Sequence, residues 1–200
     1  SQTFNKVNLI GNIEKPVLSF LFKAESKDIY VYELSSHQLA NVKKSPQVSV
    51  FLNIYPEHLD YYKNFQDYAN SKANINRYQK KDDYLVFNSA DKLIKKLAKK
   101  SKARKVPIKG KYYELNKNAA RAVGEIFKIP KITVEKTIRE FISLPHRLEY
   151  VGNYKGINFY NDSLSTVPES TIAALNSLSK DVQTIILVGF DRNVNFKNLA

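Results

Sequence analysis

The 200-residue sequence contains no cysteine, no methionine and no tryptophan, and only six glycines. Without cysteine there is no disulfide and no thiolate metal site, which suits a cytoplasmic protein. The lack of even an initiator methionine, with motifs that begin almost at once, points to a piece of a longer protein. No G-x-x-G-K-[ST] phosphate loop occurs in the chain. No apolar run approaches the ~20 residues of a membrane-spanning helix. The opening Ser-Gln-Thr-Phe-Asn also lacks the apolar segment of a signal peptide.

What is present fits a globular chain: 43% hydrophobic and 12% aromatic residues, enough for one or two domains with a sizeable core. The net charge of +13 raises nucleic acid as a partner. Much of that charge lies in residues 91–111, where Leu93, Ile94, Leu97 and Ala98 form an apolar stripe and lysines fill the opposite face. That pattern reads as a solvated amphipathic helix. The run lacks the interleaved aromatics that single-strand binders use. Lys, Asn, Ile and Tyr are abundant throughout, so the basicity reads as general composition. Neither nucleic acid nor a membrane is therefore expected as a partner; a basic nucleic-acid-binding module stands as the alternative.

The organising stretch is Ile29 to Lys72. Two apolar runs, Ile29–Tyr32 and Val48–Ile54, read as strands buried on both faces. Each ends in a polar cluster, Glu33-Leu34-Ser35-Ser36 and Asn53 to Glu57-His58. In a parallel α/β sheet, ligands gather at the carboxyl ends of the strands. A helix follows in which Phe65, Tyr68 and Ile75 mark an apolar stripe, and Lys72 falls on the same stripe. An inward lysine either snorkels out or is used; burial lowers its pKa and leaves a neutral, nucleophilic amine. A carboxylate, an imidazole and a lysine thus converge on one cleft.

The same residues, E-L-S-S-x-Q-L, N-x-x-P-E-H-L-D and A-x-S-K, resemble the central domain of the Mur ligases, ATP-dependent amino-acid ligases of peptidoglycan synthesis. The likeness is collinear from Gly11 to Asp191. It implies an α/β fold: a mainly parallel sheet flanked by helices, of the P-loop type, over residues 1–143, then a Rossmann-like domain begun in residues 144–200. L-P-H-R-x-E at 144–149 and Asn161-Asp162-Ser163 resemble the branch that adds D-glutamate to UDP-N-acetylmuramoyl-L-alanine. ATP and Mg2+ are then the implied cofactors, and those two molecules the substrates.

By the resemblance, Glu33, His58 and a carbamylated Lys72 sit on the magnesium side, with Lys72 and His58 catalytic. Asn116, Arg147 and Asp162 are nucleotide contacts; Asn12, Ser35, Ser36 and Thr166 face the substrates. The family's phosphate loop lies just upstream of Gly11, so the N-terminal domain and most of the C-terminal one are expected to be missing domains of the same chain. The piece alone is expected to be inactive. Glu14, Tyr113, Leu164 and Val188 depart from the family pattern, which leaves a non-catalytic scaffold as a further alternative.

Further along, strands are expected at Lys6–Ile10, Asp83–Asn88, Val106–Ile108 and Thr184–Val188, and helices at Leu115–Phe127 and Thr133–Ile142. Ala119, Ala120, Val123 and Phe127 should face inward on the first helix, and Val134, Ile138 and Phe141 on the second. The 149–162 region reads as a hairpin. Thr166 with Glu169 makes a T-x-x-E capping box for the last helix.

Overall fold

The computed structural model describes residues 6–13, 17–178, 182–189, 197 and 199, with only the backbone of Tyr112. Glu14 and Asp191, both named above, lie outside the described residues. The elements run β1 (Val7–Gly11), α1 (Leu18–Leu21), β2 (Ile29–Glu33), α2 (Ser36–Ala40), β3 (Val48–Phe51), α3 (Phe65–Lys72) and α4 (Asn74–Arg77). They continue with β4 (Tyr84–Asn88), α5 (Lys92–Ala98), β5 (Arg104–Ile108), α6 (Tyr112–Ile126), α7 (Lys131–Glu140), β6 (Glu149–Tyr154), β7 (Ile157–Asn161) and α8 (Pro168–Ser177). The α/β class expected from the sequence is the class found.

All pairing before the hairpin is parallel: β1 with β2, and β3-β4-β5 with β4 central. Side chains alternate across β4, because successive residues of a strand point to opposite faces. Leu85 and Phe87 join Phe51, Tyr68, Ile94 and Leu97 in a core under α3 and α5. Val86 faces the other way, against Ala119 and Ala122 of α6. Leu85, Val86 and Ile94 are completely inaccessible to solvent. The stripe anticipated on the lysine-rich run is therefore the buried face of α5, with Asp91 capping its first turn by accepting the Ile94 N–H at 2.9 Å.

Several expectations need correction. β2 is not buried on both faces: Val31 and Tyr32 are exposed, since β2 pairs only with β1 among the described residues. On α6, Ala122 is inward and Ala120 is exposed, one position further round the same helix. α7 stops at Glu140, where Phe141 turns extended with ψ 119° and leaves its ring in solvent. Residues 182–188 form no strand: no neighbouring strand pairs with them among the described residues, and Ile186 and Val188 are exposed. The helix drawn through Phe65 to Ile75 is two pieces, α3 and α4. The break falls at Ala73; beyond it the Asn74 side chain donates to the Leu39 and Ala40 carbonyls of α2, and the Ser45 hydroxyl donates to the Asn74 carbonyl at 2.8 Å.

The hairpin is as expected, antiparallel and joined by Lys155-Gly156. Both turn residues have positive φ, 52° and 83°, the geometry that matches a two-residue turn to the twist of its strands.

Candidate functional site

The carboxyl ends of β1, β2 and β3 deliver the first group of side chains. Gly11 and Glu33 are register partners, and the Asn12 N–H donates to the Glu33 carbonyl at 3.0 Å. A side chain at Gly11 would meet that carbonyl at 2.2 Å, and its φ of 109° favours glycine as well. Ser35 caps α2: its hydroxyl accepts the Gln38 N–H at 3.2 Å, and Gln38 answers by accepting the Ser35 N–H at 2.9 Å. Ser36 is covered, at 3% exposure, and its carbonyl accepts the Ser71 hydroxyl at 2.6 Å. That bond fastens α3 to the start of α2 and fixes the neighbouring Lys72.

The Lys72 ammonium lies 5.4 Å from the centre of the Tyr68 ring. Burial pushes its pKa below the ordinary lysine range, while Glu57 and then Glu33 pull it back up. Desolvation therefore outweighs two carboxylates. Tyr68 is pushed up to about 12, first by its own burial and then by Glu57 and Tyr62. His58 sits in a left-handed turn with φ 55°, its carbonyl accepting the Tyr61 and Tyr62 N–H groups. Its Nε2 is 3.9 Å from the Glu57 carboxylate, and its ring lies 6.2 Å from Tyr68 and 4.9 Å from His37. His58 and Lys72 both lie beside the Tyr68 ring, Glu57 is close to both, and Glu33 is near enough for its charge to act on Lys72. Among the described residues no three His, Cys, Asp or Glu side chains are grouped closely enough to hold a metal by themselves.

Thr166 reaches this group from the far end of the chain. It does not cap α8, whose N-cap is Val167 without a side-chain bond. Its hydroxyl instead donates to Glu57 Oε1 at 3.2 Å, so the expected capping box is replaced by a contact between distant segments.

A cleft of about 610 Å³ opens beside these residues, lined among others by Asn88, Tyr113, Asn116, Arg147, Ser165 and Glu169. Asn116 and Arg147 therefore share one cavity. Asp162 is close by but engaged on both oxygens, accepting the Leu148 N–H at 2.9 Å and the Ser165 hydroxyl at 2.5 Å. Burial raises the Tyr113 phenol, Asp162 raises it further, and Arg147 lowers it. Tyr113 thus belongs to the cleft rather than leaving a gap in it.

Sequence reasoning gave no role to Glu57, His37 or Tyr68. Glu57 was visible as the carboxylate beside His58 at a strand end. His37 carried no signal, because only the fold of α2 against residues 58–62 brings its ring there.

Charged and polar groups at the carboxyl ends of parallel strands, with a cleft beside them, place this chain among the α/β domains whose ligand site lies at the strand ends. The chain belongs to the Mur ligase family: the model of the Mur ligase middle domain matches residues 4–160. It is 35% identical to the UDP-N-acetylmuramoylalanine--D-glutamate ligase of Pediococcus pentosaceus, over 94% of this chain and 49% of that protein. It is 32% identical to the ligase of the same name from Caldanaerobacter subterraneus, over 96% of this chain and 50% of that one. The chain therefore spans about half the length of these relatives. In fold it resembles MurF from Acinetobacter baumannii, with TM-score 0.59 and 14% identity over 86% of this chain and 53% of the other. No helix among the described residues is long and apolar enough to cross a membrane.

Proposed function

We propose that this chain is the central part of a cytoplasmic ligase that joins D-glutamate to UDP-N-acetylmuramoyl-L-alanine at the expense of ATP. The observation that carries the reading is the half-buried Lys72, whose lowered pKa is opposed by Glu57 and Glu33 and which shares the Tyr68 ring with His58, together with the cleft lined by Asn116 and Arg147. The likeness to ligases of that name supports the choice of substrates.

The reaction class requires the substrate carboxylate to attack the γ-phosphoryl group of ATP, giving an acyl phosphate and ADP. The amine of D-glutamate then displaces phosphate, and an amide forms. Both steps place negative charge on oxygens, so positioning and charge neutralisation dominate. Arg147 and Asn116 suit the nucleotide: a guanidinium pairs with phosphate or a purine face, and an amide reads polar edges. Asp162 holds the turn that presents Arg147 by accepting the Leu148 N–H. Asn12 and Ser35 follow the ends of β1 and β2, and Thr166 joins them through its bond to Glu57, where the sugar-linked substrate and the amino acid would meet; Ser36 acts through its backbone carbonyl.

Magnesium prefers oxygen donors, and among the described residues the native side chains alone fall short of a three-donor set. Lys72 completes it as a carbamate. Its depressed pKa favours the neutral amine, the form that carbon dioxide needs, and the product would be a carboxylate-like group close to Glu57 and Glu33. Mg2+ held there would screen the phosphate charges. These residues carry no phosphate loop, so by themselves they are expected to show no turnover. The relatives are about twice as long as this chain, and the rest of a protein of that length would complete the enzyme.

The test is phosphate release by the full-length protein. It should require ATP, Mg2+, UDP-N-acetylmuramoyl-L-alanine and D-glutamate together. Release that is indifferent to the amino acid, or none with any amino acid, would overturn the assignment.

A further inference from the structure

The strands of the central sheet have two ends, and the chemistry discussed so far uses only one. At the amino-terminal end lies a second concavity of about 550 Å³, lined by Lys43, Arg77, Tyr78, Gln79, Lys80, Lys81 and Lys102. Five of the seven carry positive charge and none is acidic. They come from three separate segments, those that lead into β3, β4 and β5.

A buried glutamine holds the three together. Gln79 is 2% exposed; its side-chain nitrogen donates to the Tyr84 carbonyl at 2.7 Å and the Pro46 carbonyl at 3.2 Å. Its side-chain oxygen accepts the Ser101 hydroxyl at 3.2 Å. Asn76, 1% exposed, donates to the Leu97 carbonyl at 3.4 Å and sets the same loop against the end of α5. The like charges are therefore fixed near one another by hydrogen bonds that none of them makes. Of the nearby carboxylates, Asp83 accepts the Lys80 main-chain N–H at 2.6 Å and Asp82 pairs with Arg104 at 3.1 Å; among the described residues neither forms an ion pair with a lining lysine. Lys43, Lys80, Lys81 and Lys102 form no ion pair with any described residue, and all are exposed.

Clustered cations repel, and a fold that pins them around a concavity stabilises a multiply charged anion there once one arrives. We propose that this concavity is a second ligand site, for a small molecule with two or more linked phosphates. The volume is that of a small-ligand pocket. Charges drawn from three directions suit a short run of phosphates better than a single one. Tyr78, exposed at the rim, offers a ring for a base where the phosphates belong to a nucleotide. The site is separate from the cleft of Asn116 and Arg147, which opens at the other end of the strands.

The experiment is calorimetric titration of the full chain with inorganic phosphate, tripolyphosphate, ATP and a single-stranded oligonucleotide. Tripolyphosphate should bind at least tenfold more tightly than phosphate, and the triple variant Lys80→Glu, Lys81→Glu, Lys102→Glu should abolish that binding. The control reverses three charges on α7 (Lys131→Glu, Lys136→Glu, Arg139→Glu) and should retain it. Unchanged thermal midpoints in both variants show that the fold is intact; if the triple reversal unfolds, Lys80→Gln with Lys102→Gln replaces it. ATP binding more tightly than tripolyphosphate, with the excess lost in Tyr78→Ala, identifies a nucleotide; equal binding identifies the bare phosphate chain. Binding that survives the triple reversal overturns the proposal, as does equal loss in the α7 control. So does a preference for the oligonucleotide, which would mean an extended surface instead of a pocket.

Discussion

At the scale of single residues, Lys72 carries the most consequence. Its place on a stripe with Phe65 and Tyr68 was legible from spacing, because a helix repeats its faces at three- and four-residue intervals. What spacing could not supply was Glu57 as a charge acting on it, since that depends on how residues 52–64 run between β3 and α3. Thr166 shows the same limit. Its T-x-x-E pattern fits a cap, yet the hydroxyl bonds to Glu57, 109 positions away in sequence, and the helix begins one residue later. In the full-length enzyme, Lys72→Ala should reduce ligation by orders of magnitude, because phosphoryl transfer would lose a charge that positions its counter-ion. Stability should change by only ~0.5–1 kcal/mol. Formate or acetate should restore part of the rate by replacing the lost carboxylate-like group. Near-normal turnover in a folded Lys72→Ala enzyme would remove Lys72 from catalysis.

At the scale of elements, β4 and α5 were readable because each is specified by one pattern: a short continuous apolar run, and a stripe with lysines opposite. β2 and residues 182–188 carry the same kind of run without comparable burial. An apolar segment states that it can be covered, and only neighbouring strands decide whether it is. The α6–α7 pair depends on a detail of this kind. A Cβ added at Gly124 would stand 2.7 Å from Val134 Cγ2. Alanine gains about 1 kcal/mol of helix propensity over glycine, but valine has nearly one rotamer in a helix and cannot swing away. Gly124→Ala should therefore destabilise by about 1 kcal/mol net, within the usual range for overpacking. In a Val134→Ala background the same change should be stabilising, which urea midpoints of the four proteins would reveal.

The same two helices are tied by Arg121, which donates to Glu135 at 2.8 and 3.1 Å and to Glu114 at 2.7 Å. The Arg121 hydrogen bonds hold the Glu135 carboxyl below its ordinary value of 4.5. A carboxylate depressed in the folded state binds fewer protons there than in the unfolded chain. Its contribution is therefore present above 4.5 and is lost as pH falls through the folded value. The stability gap between the native protein and Glu135→Gln should be flat near neutrality and close below that pH. Both partners are partly exposed to solvent, so added salt should shrink the gap too. A gap that widened in acid would refute this account.

At the scale of the whole molecule, the cleft is built from both sides of the Phe141–Arg147 connection. Asn88, Tyr113 and Asn116 precede it; Arg147, Ser165 and Glu169 follow or end it. The sequence indicated a change of pattern near Leu144, but not that the segments on either side would share a cavity. Arg147 is presented by a constrained turn in which His146 and Leu148 have φ of 62° and 48°. The Asp162 carboxylate holds the Leu148 N–H, and the His146 carbonyl accepts the Leu164 N–H at 3.1 Å. Its guanidinium is thus offered to the cleft by a scaffold that does not depend on the guanidinium itself. Removing it should leave the fold alone and weaken whatever phosphate or purine it meets. A hydrogen bond to a charged group contributes about 1.5–3 kcal/mol, so Arg147→Ala in the full-length enzyme should raise the KM for ATP roughly ten- to hundredfold. The thermal midpoint without nucleotide should stay unchanged, while the upward shift caused by ATP should shrink, because ligand stabilisation follows affinity. A lowered midpoint with an unaltered KM would instead make Arg147 a strut of the turn, and the nucleotide would have to be placed elsewhere.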